Sequence, residues 1–377
     1  MTGEKTASEQ SRALLEKYKP LLVIFPQEAR DGKVLNRPGA WLPVAGTWGD
    51  YHPCSAEFVL DRITQRDEPL PWSADVRGFI AHQILRVGWC PSPRTGLSTL
   101  KAKAKAAGPD ATSAWELDVS DLPSQDETQA WKLYARVLKE AGPLFRPTVY
   151  GRDVPTPDGR ALQYWYLSMY NDFWNNHECD WEMATIVLGQ DDAPEIVAYS
   201  QHIGGSHRKW ADVKKVGGRP VQYVAKGSHA GYFDYSPDGY LPVNVNTGTA
   251  HPVLPGPLAP LNFLVSPLLK AINTRQWTRR AKDNPPADRE MDGPRVKSER
   301  YFGVRLEPEL QVLPPAQPPT DSDSDWWWLN LKCPWGSRHQ RVFGFAGVLG
   351  PWASTHAADT RWREPVKWAR ETPADGT

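Results

Sequence analysis

The sequence has few cysteines, and their spacing is not that of a cysteine-rich protein. Four of the 377 residues are cysteine, at positions 54, 90, 179 and 333, and none of them form a C-x-x-C pair. We therefore expect neither a disulfide framework nor a structural zinc site.

The chain also lacks an excess of charge and a leader-like N-terminus. Lys and Arg together number 44, as do Asp and Glu, so no electrostatic footprint for nucleic acid or an anionic membrane is present. Met1 to Gln10 is polar, without the apolar core of a signal peptide, and the expected location is cytoplasmic. Pro252 to Leu269 is apolar but holds five prolines, so we expect no transmembrane segment.

Several catalytic signatures are missing. The sequence contains no G-x-S-x-G elbow, no G-x-G-x-x-G, no P-loop and no H-E-x-x-H. Cys179 lies between two acidic residues that disfavour its thiolate, so it is not expected to act as a nucleophile.

Proline, glycine and tryptophan are abundant: 36, 29 and 18 residues. Short runs rich in Val, Ile, Tyr and Trp are separated by turn signals, which predicts a mainly β protein, an antiparallel β-sandwich with decorating helices and long loops. The expected strands are Leu21 to Phe25, Pro147 to Tyr150, Ala161 to Tyr170, Trp181 to Leu188, Ile196 to His202, Val221 to Ala225, Tyr301 to Val312 and Trp326 to Leu331.

Helical spacing is found at Glu9 to Lys19 and Gln129 to Ala141, and a further helix is expected around Leu264 to Trp277. We predict one large domain over residues 1–377. Residues 1–145 form an N-terminal helical and loop decoration, 146–250 the central β core with the site, and 251–377 a C-terminal extension with the remaining strands.

The chemistry is expected at His177-Glu178-Cys179-Asp180-Trp181-Glu182. Alternation along a strand puts Asp180 and Glu182 on one face and Trp181 on the other. The carboxylate face continues into apolar residues, and two carboxylates there repel each other and lose hydration. A hard divalent cation (Ca²⁺, Mg²⁺ or Mn²⁺) would compensate, and His177 can add a nitrogen ligand. The alternative is a solvated strand end paired with Arg or Lys.

A second polar cluster follows. The same alternation places Ser200 and His202 on one face, with a tight turn expected at Gly204-Gly205. Lys226-Gly227-Ser228-His229 follows the next strand, and Gly227 permits a backbone angle that aims His229 or Ser228 inward. If these strands are neighbours, their ends bring His177, Asp180, Glu182, His202 and His229 to one rim.

Three groups of motifs carry a family resemblance: Gln163 to Tyr166 with Tyr170 to Asp172 and His177 to Glu182; Val197 to His202 with Gly204-Gly205; and Val224 to Phe233. They resemble the family named after vacuolar protein sorting protein 62. The D-W-E motif is also similar to the heptapeptide of necrosis- and ethylene-inducing (NPP1-like) toxins, β-sandwich proteins that bind a divalent cation and sphingolipid sugar headgroups.

That resemblance implies metal ligands at His177, Asp180 and Glu182, with Asp172 as an extra carboxylate, and matches His229 to a further histidine. The heptapeptide has histidine where this chain has Cys179, and the toxins are secreted, so fold and metal site carry over better than toxin activity.

Two functions are expected from this site. In a binding module, the cation and nearby side chains hold a small molecule, sugar or lipid headgroup; the candidate contacts are Trp181, Trp174, Tyr170, Ser228 and Tyr199. In a hydrolase-type enzyme, His202, His229 or Glu178 is the general base and Lys226 stabilises negative charge. A mononuclear iron oxygenase is a third alternative. No protein partner is indicated.

Overall fold

The structure is a computed structural model. It describes residues 7–24, 52–60, 63–66, 116–119, 146–171, 177–201, 204–224, 229–234, 295–297, 302–314, 324–331, 334–335, 348–351 and 361–375. The expected helices Gln129 to Ala141 and Leu264 to Trp277, and the apolar stretch Pro252 to Leu269, lie outside these residues. No helix in the described part of the chain is long and apolar enough to cross a membrane.

Strands dominate the described elements. The helices are α1 (Ala7–Tyr18), α2 (Ala56–Leu60) and α3 (Pro365–Glu371), with two 3₁₀ helices at Trp210–Asp212 and Trp327–Asn330. The strands are β1 (Leu21–Ile24), β2 (Ile63–Arg66), β3 (Glu116–Val119), β4 (Thr148–Thr156), β5 (Gly159–Asn171), β6 (His177–Leu188), β7 (Pro194–Gln201), β8 (Gly204–Lys209), β9 (Lys215–Val216), β10 (Arg219–Val224), β11 (Gly231–Tyr232), β12 (Arg295–Lys297), β13 (Phe302–Leu306), β14 (Glu309–Val312), β15 (Pro334–Trp335) and β16 (Val348–Leu349).

Two six-stranded sheets form the body of the molecule. Sheet A has the order β11-β10-β1-β13-β12, with β9 paired to β10, and sheet B has the order β14-β4-β5-β6-β7-β8. Most pairings are antiparallel, but β1 runs parallel to β10 and β14 runs parallel to β4. The predicted mainly β sandwich is confirmed, and its sheets are mixed. The division of the chain into three parts stays a prediction.

Tight turns with positive φ angles join several of the strands. The turn between β4 and β5 ends at Gly159, with a φ of 134°, and Gly217 and Gly218 join β9 to β10 with φ values of 59° and 77°. The β6–β7 turn uses Asp192, whose φ is 58°. Such positive φ angles suit glycine and, less well, aspartate.

Sheet B is buried on both faces. One face packs Leu162, Tyr164 and Ile186 with Leu15 of α1 and with Phe233. The other face packs aromatic residues of β5 and β6 against α2, α3 and the second 3₁₀ helix. This double burial explains why β5 and β6 consist of long runs of large apolar side chains rather than alternating polar ones.

Two predicted local structures are wrong. Trp326 to Leu331 was expected to be a strand but contains a 3₁₀ helix, in which the Leu329 N–H donates to the Trp326 carbonyl oxygen at 3.1 Å. Packing of these tryptophans in the core overrides their β propensity. Gly204-Gly205 is predicted to be a turn but begins β8, which pairs with β7. Glycine suits position 205 because a Cβ there would lie 2.6 Å from the Tyr199 carbonyl oxygen and 2.8 Å from the Trp368 ring.

Candidate functional site

The acidic motif lies within β6. This strand begins at His177, earlier than the start at Trp181 that the sequence predicts. Trp181 and Met183 join the aromatic core on one face of sheet B, while Ala184 and Ile186 pack on the other. Asp180 and Glu182 are only 5% and 0% exposed. The alternation inferred from the sequence therefore places two carboxylates inside the protein rather than at a solvated strand end.

Glu182 lies where β6 and β7 separate. The pairing between these strands begins at Ala184 opposite Tyr199. Beyond that pair the Ser200 hydroxyl accepts a hydrogen bond from the Met183 N–H at 2.7 Å and donates to the Glu182 carboxylate. The serine side chain thus links β6 and β7 beyond their last backbone pair, and it holds the Glu182 carboxylate in place.

Asp180 is joined to His229, which comes from the segment before β11. The two groups are 3.1 Å apart, from Nδ1 of His229 to Oδ2 of Asp180, and His229 is 2% exposed. A carboxylate can only accept in this contact, so Nδ1 is the donor and Nε2 is the ring nitrogen left for another partner. His229 itself has a left-handed φ of 56°, and Gly227 lies outside the described residues.

A buried tyrosine and an amide support this site from the two sheets. Gln222 of β10 donates from Nε2 to the Tyr166 hydroxyl at 2.5 Å, and that hydroxyl donates to the His229 carbonyl oxygen at 3.4 Å. Burial, and secondarily the charges of Glu182 and Asp180, raises the pKa of Tyr166 well above its ordinary value. The phenol therefore stays a neutral donor.

Cys179 and Glu178 are also buried, both 0% exposed. Cys179 adopts a left-handed φ of 57°, yet its side chain packs in the same core cluster as those of Trp181 and Met183. Burial first, and then the charge of Glu178, raises the pKa of the Cys179 thiol well above its ordinary value. The thiolate is disfavoured, as expected from the sequence, with loss of hydration as the larger cause.

The aromatic residues proposed to contact a ligand are core residues in the structure. Trp181 is 3% exposed and stacks on Trp328 with 5.6 Å between ring centroids, on the face away from the carboxylates. Tyr199 stacks on Phe233 at 4.3 Å, and Tyr170 is 1% exposed. Their ligand contacts stay predictions.

Most of the remaining candidates lie outside the described part of the chain. The described residues exclude Asp172, Trp174, His202, Lys226 and Ser228, and of His177 only the backbone is described. Among the described residues, no group of three His, Cys, Asp or Glu side chains is arranged to hold a metal ion. The structure brings together Asp180 with His229 and Glu182 with Ser200.

Tyr166 and Gln222 were not identified as site residues from the sequence. Tyr166 lies directly opposite Glu182 in the β5–β6 pairing, which alternation along β5 would have indicated once the register was known. Gln222 is an amide within the otherwise apolar run Val221 to Val224 and is 0% exposed. A polar residue inside an apolar strand is the available signal, because buried amides need hydrogen-bond partners.

No family model and no curated protein matches the chain. Necrosis- and ethylene-inducing toxins, the class that the D-W-E motif resembles, are among the solved structures similar to this chain. NLPPya in complex with glucosamine is 20% identical with a TM-score of 0.22, and the alignment covers 24% of this chain and 46% of that chain. Necrosis and Ethylene inducing Protein 2, from the causal agent of cocoa's Witches Broom disease, is 19% identical with a TM-score of 0.21, covering 25% and 48%. The match thus spans about half of each toxin chain, and no functional conclusion follows from it.

Proposed function

We propose that this protein is a binding module in which Asp180, Glu182 and His229, together with His177, hold one divalent cation, and that the cation and its surroundings bind a polar ligand. The observation that carries the proposal is the burial of two carboxylates on one strand face beside a histidine. Buried carboxylates lose their hydration, and a cation is the usual compensation.

The donor chemistry fits a hard cation. Carboxylate oxygens suit Ca²⁺, Mg²⁺ and Mn²⁺, and the imidazole of His229 would add one nitrogen donor. Ser200, which donates to Glu182, and Tyr166, which donates to the His229 backbone, orient the neighbouring groups. A bound cation would supply a positive charge that attracts oxygen atoms of the ligand.

The class of ligand, a sugar or a lipid headgroup, rests on the resemblance of the D-W-E motif to the toxin heptapeptide. Membership in the family named after vacuolar protein sorting protein 62 is part of the same proposal. Calorimetric titration with amino sugars and phosphorylated headgroups, with and without cation, tests the class. Binding that is equally strong in EDTA would show that the cation takes no part in recognising the ligand.

Thermal unfolding in the presence of Ca²⁺, Mg²⁺ or Mn²⁺ tests the metal site directly. A ligand at one hundred times its Kd stabilises the folded state by about 2.7 kcal/mol. We expect the parent protein to melt higher with the bound cation, and Asp180→Asn and Glu182→Gln to lose that rise.

Asp153→Asn is the matched control, because Asp153 is also buried in sheet B but pairs with Arg160 at 2.5 Å. This variant should melt lower with or without cation and keep the cation-dependent rise. Equal responses of Asp180→Asn and the parent would show that the cation, if it binds, binds elsewhere.

The Asp180–His229 pair favours a metal-dependent hydrolase as the second candidate. A carboxylate that orients a histidine leaves the other ring nitrogen positioned as a general base or a metal ligand. His202→Ala and Lys226→Ala separate the candidates. In an enzyme they should lower kcat while ligand binding persists; a binding module shows no turnover with the parent protein either.

A further inference from the structure

A second candidate site lies at the outer edge of sheet B, away from the carboxylates of β6. A cavity of about 550 Å³ is lined by Arg12, Glu57, Leu310, Gln311, Val312, Asp325, Trp326 and Trp327. None of its lining residues belongs to the group formed by Asp180, Glu182, Ser200 and His229.

The cavity wraps around the edge of a strand. Leu310 packs with Leu15 of α1 on one face of sheet B, whereas Trp327 packs in the aromatic core on the other face. Three consecutive residues of β14 lie between these walls, and β14 is the end strand of sheet B in the described part of the chain. Only a cavity at the strand edge can touch both faces.

The backbone of β14 offers hydrogen bonds to this edge. The Glu309 N–H donates to the Pro147 carbonyl oxygen and the Leu313 N–H to that of Gly151, both at 2.7 Å. Alternate residues therefore point their amides at β4. Because the amides alternate along a strand, those of Leu310 and Val312 point outward, toward the edge where another strand can pair.

Charges of opposite sign line the two walls. Arg12 stands on the α1 side, and the structure gives it no ion pair with any described residue. Glu57 stands on the other side, where it accepts hydrogen bonds from the neutral groups Tyr150 Oη and Trp328 Nε1, both at 3.1 Å. Asp325 and the half-buried ring of Trp326 lie on that same side. One wall thus suits an anion, and the other suits a cation held by carboxylates and an aromatic face.

We propose that β14 binds an extended segment of a partner protein as an added strand, and that the segment carries an acidic residue next to a basic one. Successive side chains of a strand point to opposite faces. An acidic side chain would therefore meet Arg12 while its basic neighbour meets Glu57, Asp325 and Trp326. The backbone pairing supplies affinity and the two walls supply selectivity.

The test uses synthetic peptides and the full-length chain. The probe is acetyl-Thr-Val-Asp-Lys-Val-Thr-amide. The first control is the same peptide with both charged residues replaced by Gln. The second control is the probe peptide N-methylated at alternate amides, those on the edge that would pair with β14. Affinity is measured by calorimetry. We expect the charged peptide to bind about tenfold more tightly than the Gln peptide, and N-methylation on the pairing edge to abolish binding.

Variants locate the site. Arg12→Glu should weaken the Asp-Lys peptide and favour a Lys-Lys peptide, and Asp325→Asn should weaken it about fivefold. Both side chains are exposed, so folding should be unaffected. Lys209→Gln, on the exposed part of the opposite edge strand β8, is the matched control and should change nothing. The proposal is overturned if no peptide binds, if N-methylation has no effect, or if Lys209→Gln weakens binding as much as Asp325→Asn.

Discussion

The close approach of the two sheets beside the carboxylate site depends on one glycine. A Cβ on Gly231 would overlap Nε2 of Gln222 and lie 2.9 Å from Cβ of Tyr199. Gln222 donates to Tyr166, which in turn supports His229, so a side chain at position 231 would disturb the whole chain of hydrogen bonds.

Gly231→Ala should therefore lower the free energy of unfolding by about 1–3 kcal/mol, the usual cost of overpacking a buried position. Chemical denaturation followed by tryptophan fluorescence measures it. Gly189→Ala is the control: there the nearest atom is the carboxylate end of Glu195, which is a flexible side chain. A change within about 0.5 kcal/mol is expected for it. Equal costs for the two variants would contradict this packing account.

At the level of single residues, the sequence predicts that Asp180 and Glu182 lie on one face of a strand, because strand alternation is a local property. It does not predict the left-handed angles of Cys179 and His229, since residues other than glycine adopt such angles in only a few per cent of cases, even though histidine does so more often than most. The φ of His229 sets the direction in which its ring leaves the backbone, toward Asp180.

Among the elements, the 3₁₀ helix Trp327–Asn330 best shows how packing overrides local preference. Trp328 is 0% exposed and lies within 6 Å of the rings of Tyr150, Trp181 and Trp335, measured between centroids. Its indole N–H also donates to Glu57 at 3.1 Å. A run of three tryptophans favours a strand by composition, but only a tight turn brings one of them into this pocket.

Trp328→Ala should cost about 3–5 kcal/mol in the free energy of unfolding, the range for deleting a buried tryptophan. The neighbouring Trp326→Ala should cost clearly less, because that ring is only half-buried. Urea denaturation of both variants compares them under identical conditions. A larger loss for Trp326→Ala would mean that the helix packs in another register.

At the scale of the whole molecule, the strands of each sheet come from distant parts of the chain. In sheet A, β1 lies between β10 and β13, which follow it by about two hundred residues or more. In sheet B, β14 pairs in parallel with β4. The positions of the strands that pack into the core are readable from sequence, because they follow local composition. Their pairing is not, since it depends on contacts between distant segments.

Several buried tyrosines, which lie on different strands, make the free energy of unfolding depend on pH in the alkaline range. The pKa is raised, chiefly by burial, for Tyr150, Tyr164, Tyr166, Tyr199 and Tyr232. A raised pKa means that the folded state keeps protons which the unfolded chain releases near pH 10. Their contribution to stability is therefore complete below that pH and is lost as the pH rises above it.

We expect the Tm from circular dichroism to change little from pH 7 to about 7.5, to fall gradually around pH 8.5, where the thiol of an unfolded Cys179 is half ionised, and to fall steeply above about pH 10. Phenolate absorbance of the buried tyrosines should appear together with the loss of structure. In Tyr199→Phe, the free energy of unfolding should depend less steeply on alkaline pH, by about 1.4 kcal/mol per pH unit for the phenol removed. An unchanged slope, or full phenolate absorbance in protein that is still folded, would show that these hydroxyls ionise without unfolding.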